Sequence, residues 1–84
     1  MMKKVFVNVT ANFTTEGELA PQCFTWEDGR IYQVDKVFEC KKAVSLKVGG
    51  QGLRYRCKVR GKEVYLFFED GRWFMEGKEN EVQL

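Results

Sequence analysis

Histidine is absent from the 84 residues, which removes the usual general base and the commonest metal ligand. Cysteine is scarce and poorly spaced for chemistry. Cys23, Cys40 and Cys57 form no CxxC pair, so neither a zinc ribbon nor a thioredoxin-type redox motif can be drawn. Their odd number and wide separation argue against a disulfide framework and for a reducing cytoplasm, where each would act as a small buried hydrophobe. A catalytic cysteine needs a partner base, and the sequence suggests none. No enzymatic activity, cofactor or metal site is therefore expected. No apolar run reaches the length of a signal-peptide core or a bilayer-crossing segment, so no membrane partner is expected either. The net charge of +2 is too small to indicate a nucleic-acid partner unless the cations cluster locally. "VGGQGLRY" lacks both GxGxxG and the P-loop Gly-Lys-Ser/Thr ending, and it precedes a strand pattern; it reads as a tight connection.

What is present is two-residue periodicity. Val5, Val7, Val9, Ala11 and Phe13 fall on one face of a strand, and Phe6, Asn8, Thr10 and Asn12 on the other. "TEGELAP" follows as a loop punctuated by Gly17 and Pro21, the chain's one proline. The tetrapeptide EDGR occurs twice, at Glu27–Arg30 and Glu69–Arg72, each time between apolar, aromatic runs. Asp-Gly in that setting predicts a type I′ hairpin, with the Glu and Arg on either side facing each other. "RGKE" at Arg60–Glu63 predicts a third hairpin of type II′, which sets Val59 opposite Val64, Cys57 opposite Leu66 and Tyr55 opposite Phe68.

Between them, "IYQVDKVFECKKAVSLKV" is rich in β-branched and aromatic residues. It reads as one bent strand near 30–40 and a short strand near 43–48, with a bulge or turn between. A single helical turn near Glu39–Lys42 is the alternative there. Residues 1–84 form a single domain, and a chain of this length buries only about 60–65% of its unfolded surface. Six or seven short strands joined by hairpins imply an all-β fold, a small antiparallel barrel or roll. An SH3-like barrel is the first expectation. An OB-like barrel comes second, because OB folds usually carry a helix and none is evident.

One row of residues suggests function. In "RYRCKVRGK", Arg54, Arg56, Lys58 and Arg60 alternate on the face opposite Tyr55, Cys57 and Val59. The predicted register neutralises the ends of the row with Glu63 and Glu69. It sets Lys58 opposite Tyr65 and Arg56 opposite Phe67, with Phe74 beyond. Three readings share these residues. The face could be self-satisfied, through cross-strand ion pairs and cation–π contacts. It could bind a protein or a second copy, since aromatics and Arg are enriched in interfaces. It could bind single-stranded nucleic acid, with bases stacked on the rings. A protein partner or homodimer is the first expectation and nucleic acid the alternative.

Three stretches also carry a resemblance. "WEDGRIYQVDKV" at 26–37, "GGQGLRY" at 49–55 and "RWFME" at 72–76 resemble a small bacterial protein family of about this length, found mostly in Gram-positive lineages. The resemblance implies a cytoplasmic single-domain β protein. That family has no assigned activity, so no functional residue carries over from it.

Overall fold

Alternation carries the chain through seven strands in a computed structural model that describes residues 2–44 and 51–78. The strands are β1 (Met2–Phe13), β2 (Leu19–Thr25), β3 (Ile31–Gln33), β4 (Lys36–Val44), β5 (Gln51–Val59), β6 (Lys62–Glu69) and β7 (Arg72–Lys78). They form one antiparallel sheet in the order β3-β2-β1-β7-β6-β5-β4, and no helix occurs among the described residues. The sheet curls around Val7, Phe24, Tyr32, Tyr55, Cys57, Val59, Leu66 and Met75, all buried on its concave face. The expected all-β roll is what the chain forms.

The edges of this sheet are made by one stretch of chain. Following the antiparallel pairings around the sheet, β3 and β4 both run in the direction of β1. Only Val34 and Asp35 separate them. The Val34 N–H donates to the Gln22 carbonyl on β2 at 2.9 Å, and the Asp35 N–H donates to the Lys58 carbonyl on β5 at 2.8 Å. Adjacent amides of an extended chain point to opposite sides, so one bent strand laces the two edges together at this end. This is the bent strand expected near 30–40. Residues 39–42 continue it as β4 and form no helical turn; a bulge between Val37 and Glu39 places Phe38 outward. The strand expected at 43–48 falls largely outside the described residues.

The two EDGR copies form different turns. At Glu69–Arg72 the expectation holds: Glu69 faces Arg72, and Asp70 and Gly71 have φ of 53° and 74°, as type I′ requires. At Glu27–Arg30 it fails. Trp26 pairs with Arg30 (N···O 2.8 Å), the Gly29 N–H donates to the Trp26 carbonyl at 2.9 Å, and Gly29 alone has positive φ, 86°. This is a three-residue loop, a type I turn closed by a left-handed glycine. The difference follows from parity. Phe24 and Tyr32 must both face the core, and they do so only if the residues pair with an even number sum, which needs an odd loop. Phe68 and Trp73 have an odd sum and need a two-residue loop.

Parity also explains the remaining hairpins. Phe13 pairs with Leu19 and Thr14 with Glu18 (N···O 2.8 Å), across a three-residue loop closed by Gly17 at φ 80°. The "TEGELAP" loop is thus shorter than expected. Leu19–Pro21 belong to β2, and Pro21 is tolerated beside a bulge in the β1–β2 ladder. The 60–63 hairpin turns on Arg60 and Gly61, with φ of 52° and 76°, a type I′ turn in place of the expected II′. Cys57 accordingly faces Val64, and Tyr55 faces Leu66. A shift of two residues leaves every side chain on its expected face.

A Cβ added at Gly29 or Gly71 would meet no atom within 4 Å. Gly29→Val and Gly71→Val should therefore each lower stability through backbone strain alone, by about 1–2 kcal/mol. Thermal melts in which both variants match the parent would refute the left-handed assignment.

Candidate functional site

On the convex face, β5, β6 and β7 present the residues singled out above. The shifted register rearranges their neighbours. Lys58 faces Glu63, Arg56 faces Tyr65, Arg54 faces Phe67, and Glu69 is opposite Gly52. Glu69 instead pairs with Lys4 of β1 at 3.8 Å. Arg54, Arg56, Lys58, Tyr65 and Phe67 do share one face, and Tyr65 is 40% exposed. Phe74 shares that face but offers no surface, being 3% exposed. Phe67 stacks on it at 5.0 Å between centroids, Phe6 meets it edge-on at 5.7 Å, and the Lys4 ammonium sits 4.6 Å from its ring centre. The burial of Phe74 was legible only once β1 was placed beside β7, which local patterning does not reveal.

Arg56 is the best-held cation of the face. Its Nε donates to Glu39 Oε1 at 3.2 Å and its Nη1 to Glu63 Oε2 at 3.3 Å, while its guanidinium covers the exposed Phe38 ring at 4.9 Å. Desolvation disfavours its charge, but Glu39 first and then Glu63 outweigh that, so its pKa is held above the ordinary value. Arg54 lies over the Tyr65 ring at 5.2 Å.

Around Arg56 the ladder does something unusual. Lys36 stands directly opposite Lys58, and Lys41 directly opposite Arg54. Like charges in facing positions repel, and cross-strand pairs of this kind are worth about 0.2–1 kcal/mol in either direction. The sequence could not show this, because it depends on a β4 register set by the bulge at Phe38. Phe38, Lys36 and Lys41 are members of the face that alternation in β5 alone misses.

A second feature lies where the sheet edges diverge. Beyond the lacing at Val34–Asp35, β4 draws away from the start of β2 and leaves a cleft of about 840 Å³. Phe13, Leu19, Val37, Leu53, Tyr55 and Phe68 supply its apolar walls, with Glu18, Glu39 and Cys40 among the polar lining. The Tyr55 hydroxyl donates to the Leu19 carbonyl at 2.7 Å, spanning the floor of the cleft and satisfying an acceptor on the β2 edge. Burial, then Cys40, raises the Tyr55 pKa well above its ordinary value. Phe13, expected on the buried face of β1, is 74% exposed at the rim.

The cysteines separate by environment. Cys57 is fully buried, Cys23 is half-buried and Cys40 is exposed, so only Cys57 meets the expectation of a buried thiol. Burial, with a smaller contribution from Cys40, pushes the Cys57 thiol up from 9.0 to about 11. Below pH 9.0 the thiol is protonated in both folded and unfolded chains. Above it the unfolded chain loses the proton and the folded chain keeps it, so stability falls until about pH 11. Tyr55, shifted the same way, adds to this alkaline loss. The melting temperature should drop across that window, less steeply in Cys57→Ala, and a native thiol reagent should modify Cys40 well before Cys57. Equal labelling rates, or identical pH slopes, would contradict this burial.

Among the described residues no group of three or more Cys, Asp or Glu is placed to hold a metal ion, and no helix is long and apolar enough to cross a membrane. No protein-family model, curated protein or solved structure matches this chain.

Proposed function

We propose that this protein is a non-enzymatic binding module that engages an acidic protein partner through the convex face of β4–β5–β6. The observation that carries this reading is the pair of facing cations, Lys36 with Lys58 and Lys41 with Arg54. Glu39 offsets Lys41 from 3.8 Å along its own strand, and carboxylates of a partner relieve the repulsion that remains. The exposed Phe38 and Tyr65 rings supply the aromatic component common at interfaces. A second copy is a poor partner for this face, since docking it would oppose cation to cation. Single-stranded nucleic acid is also less suited. Stacking needs open ring faces, and guanidinium groups already cover Phe38 and Tyr65.

The three free cysteines support a reducing, cytoplasmic location. Pairing of the first strand with the last, and a sheet order lacking any Greek-key crossover, support an SH3-like roll over an OB-like one. The kinship with a small Gram-positive family rests on the three motifs and brings no activity with it.

Poly-L-glutamate and oligo-dT, titrated against the protein and against Lys36→Glu/Lys41→Glu, test the reading. Polyglutamate should bind, weaken with salt, and lose at least about tenfold in affinity in the variant, whose exposed substitutions leave the fold intact. Binding of oligo-dT alone, or equal polyglutamate binding to both proteins, would overturn it.

A further inference from the structure

β4 closes the sheet on one side, and among the described residues no strand pairs with its far edge along 39–42. The apolar cleft begins at that edge, with the start of β2 as its far wall. The cation pairs lie on the opposite, convex face of the same strand. An extended chain laid along β4 would project alternate side chains into these two settings. One set would enter the cleft over Leu53, Tyr55 and Leu19, and the other would meet Lys41 and Arg54 on the convex face.

We infer that β4 accepts an extended segment of a partner protein as an added strand, one whose residues alternate between acidic and apolar. This rests on the proposed acidic partner and specifies how it docks. Backbone pairing supplies affinity, and the side-chain alternation supplies selectivity. The occupant is a different protein and not a second copy of this chain. Lys36, Lys41 and Lys42 line β4, and two such strands side by side would confront one another's lysines. Charge complementarity favours an acidic strand for the same reason.

The probe is a capped peptide, VEVEVEV. Its controls are a blocked peptide of the same composition, VVVVEEE, and an analogue of the alternating peptide N-methylated on the amides of one edge. Affinity is read by fluorescence anisotropy, and amide exchange along 39–42 by NMR. The alternating peptide should bind at least about tenfold tighter than either control and slow exchange of the β4 amides that point away from β5. Lys41→Glu should abolish that binding with an unchanged melting temperature. Leu53→Ser should weaken it without altering the response to polyglutamate.

Equal affinity for VEVEVEV and VVVVEEE, or binding without slowed exchange in β4, overturns strand addition. If Lys41→Glu still weakens binding in that case, the convex docking face survives. No binding of VEVEVEV also overturns strand addition. If polyglutamate likewise ignores Lys36→Glu/Lys41→Glu, the docking face falls with it.

Discussion

Leu66→Ala should lower the unfolding free energy by about 3–5 kcal/mol, because the side chain is deleted from a fully buried point of the core. Leu66 is 0% exposed and faces Tyr55 across the β5–β6 ladder. It belongs to the same cluster as Val7, Phe24 and Met75. Removing its branched end loses transfer free energy and leaves a cavity that surrounding strands cannot collapse into without breaking register. A domain of this size has about 4–13 kcal/mol to lose, so the variant would sit near the edge of folding. At about 4–8 °C per kcal/mol, the melting temperature should fall by at least about 12 °C. A fall below about 4 °C would mean that Leu66 is not at the centre of the core.

Phe74→Ala should cost about 3 kcal/mol although it lies on the convex face, where an aromatic would ordinarily be dispensable. The reason is the cluster around it. Deleting Phe74 unstacks Phe67, removes the edge contact of Phe6 and leaves Lys4 without its ring. The paired rings contribute beyond their buried area. Tyr65→Ala, on the same face but 40% exposed, should cost less than about 1 kcal/mol and acts as the control. Chemical denaturation of both variants separates them. Similar costs would show that the convex face has no packed cluster of its own.

Much of the fold was legible because alternation is a strong signal in short hairpins. Val5 and Val7, Tyr55 through Val59, and Leu66 all take the predicted face. Turn type was less legible. EDGR is compatible with two loops of different length, and the choice between them is made by Phe24 and Tyr32 on one side and Phe68 and Trp73 on the other. That information was in the sequence, but it lies in the flanks and not in the tetrapeptide. The register of β4 was not legible. A bulge at Phe38 decides which of its side chains share a face with Arg54 and Arg56, and no turn residue marks it. The cleft was likewise hidden, since it exists only between strand edges far apart in sequence.

The place of β1 beside β7 also bears on how quickly the chain folds. Most of the ladders join strands that are neighbours in sequence, and each can form as a local hairpin within about 1–10 μs. Met2 opposite Lys78 is different, for it gathers nearly the whole chain into one loop. Closing a loop of that length costs about 4 kcal/mol of chain entropy before any contact repays it. Two meanders, β1–β3 and β4–β7, can therefore form early, and their docking along β1 and β7 is the barrier. Substitutions at Val5 or Met75 should then slow folding, whereas those in the β2–β3 hairpin should mainly speed unfolding.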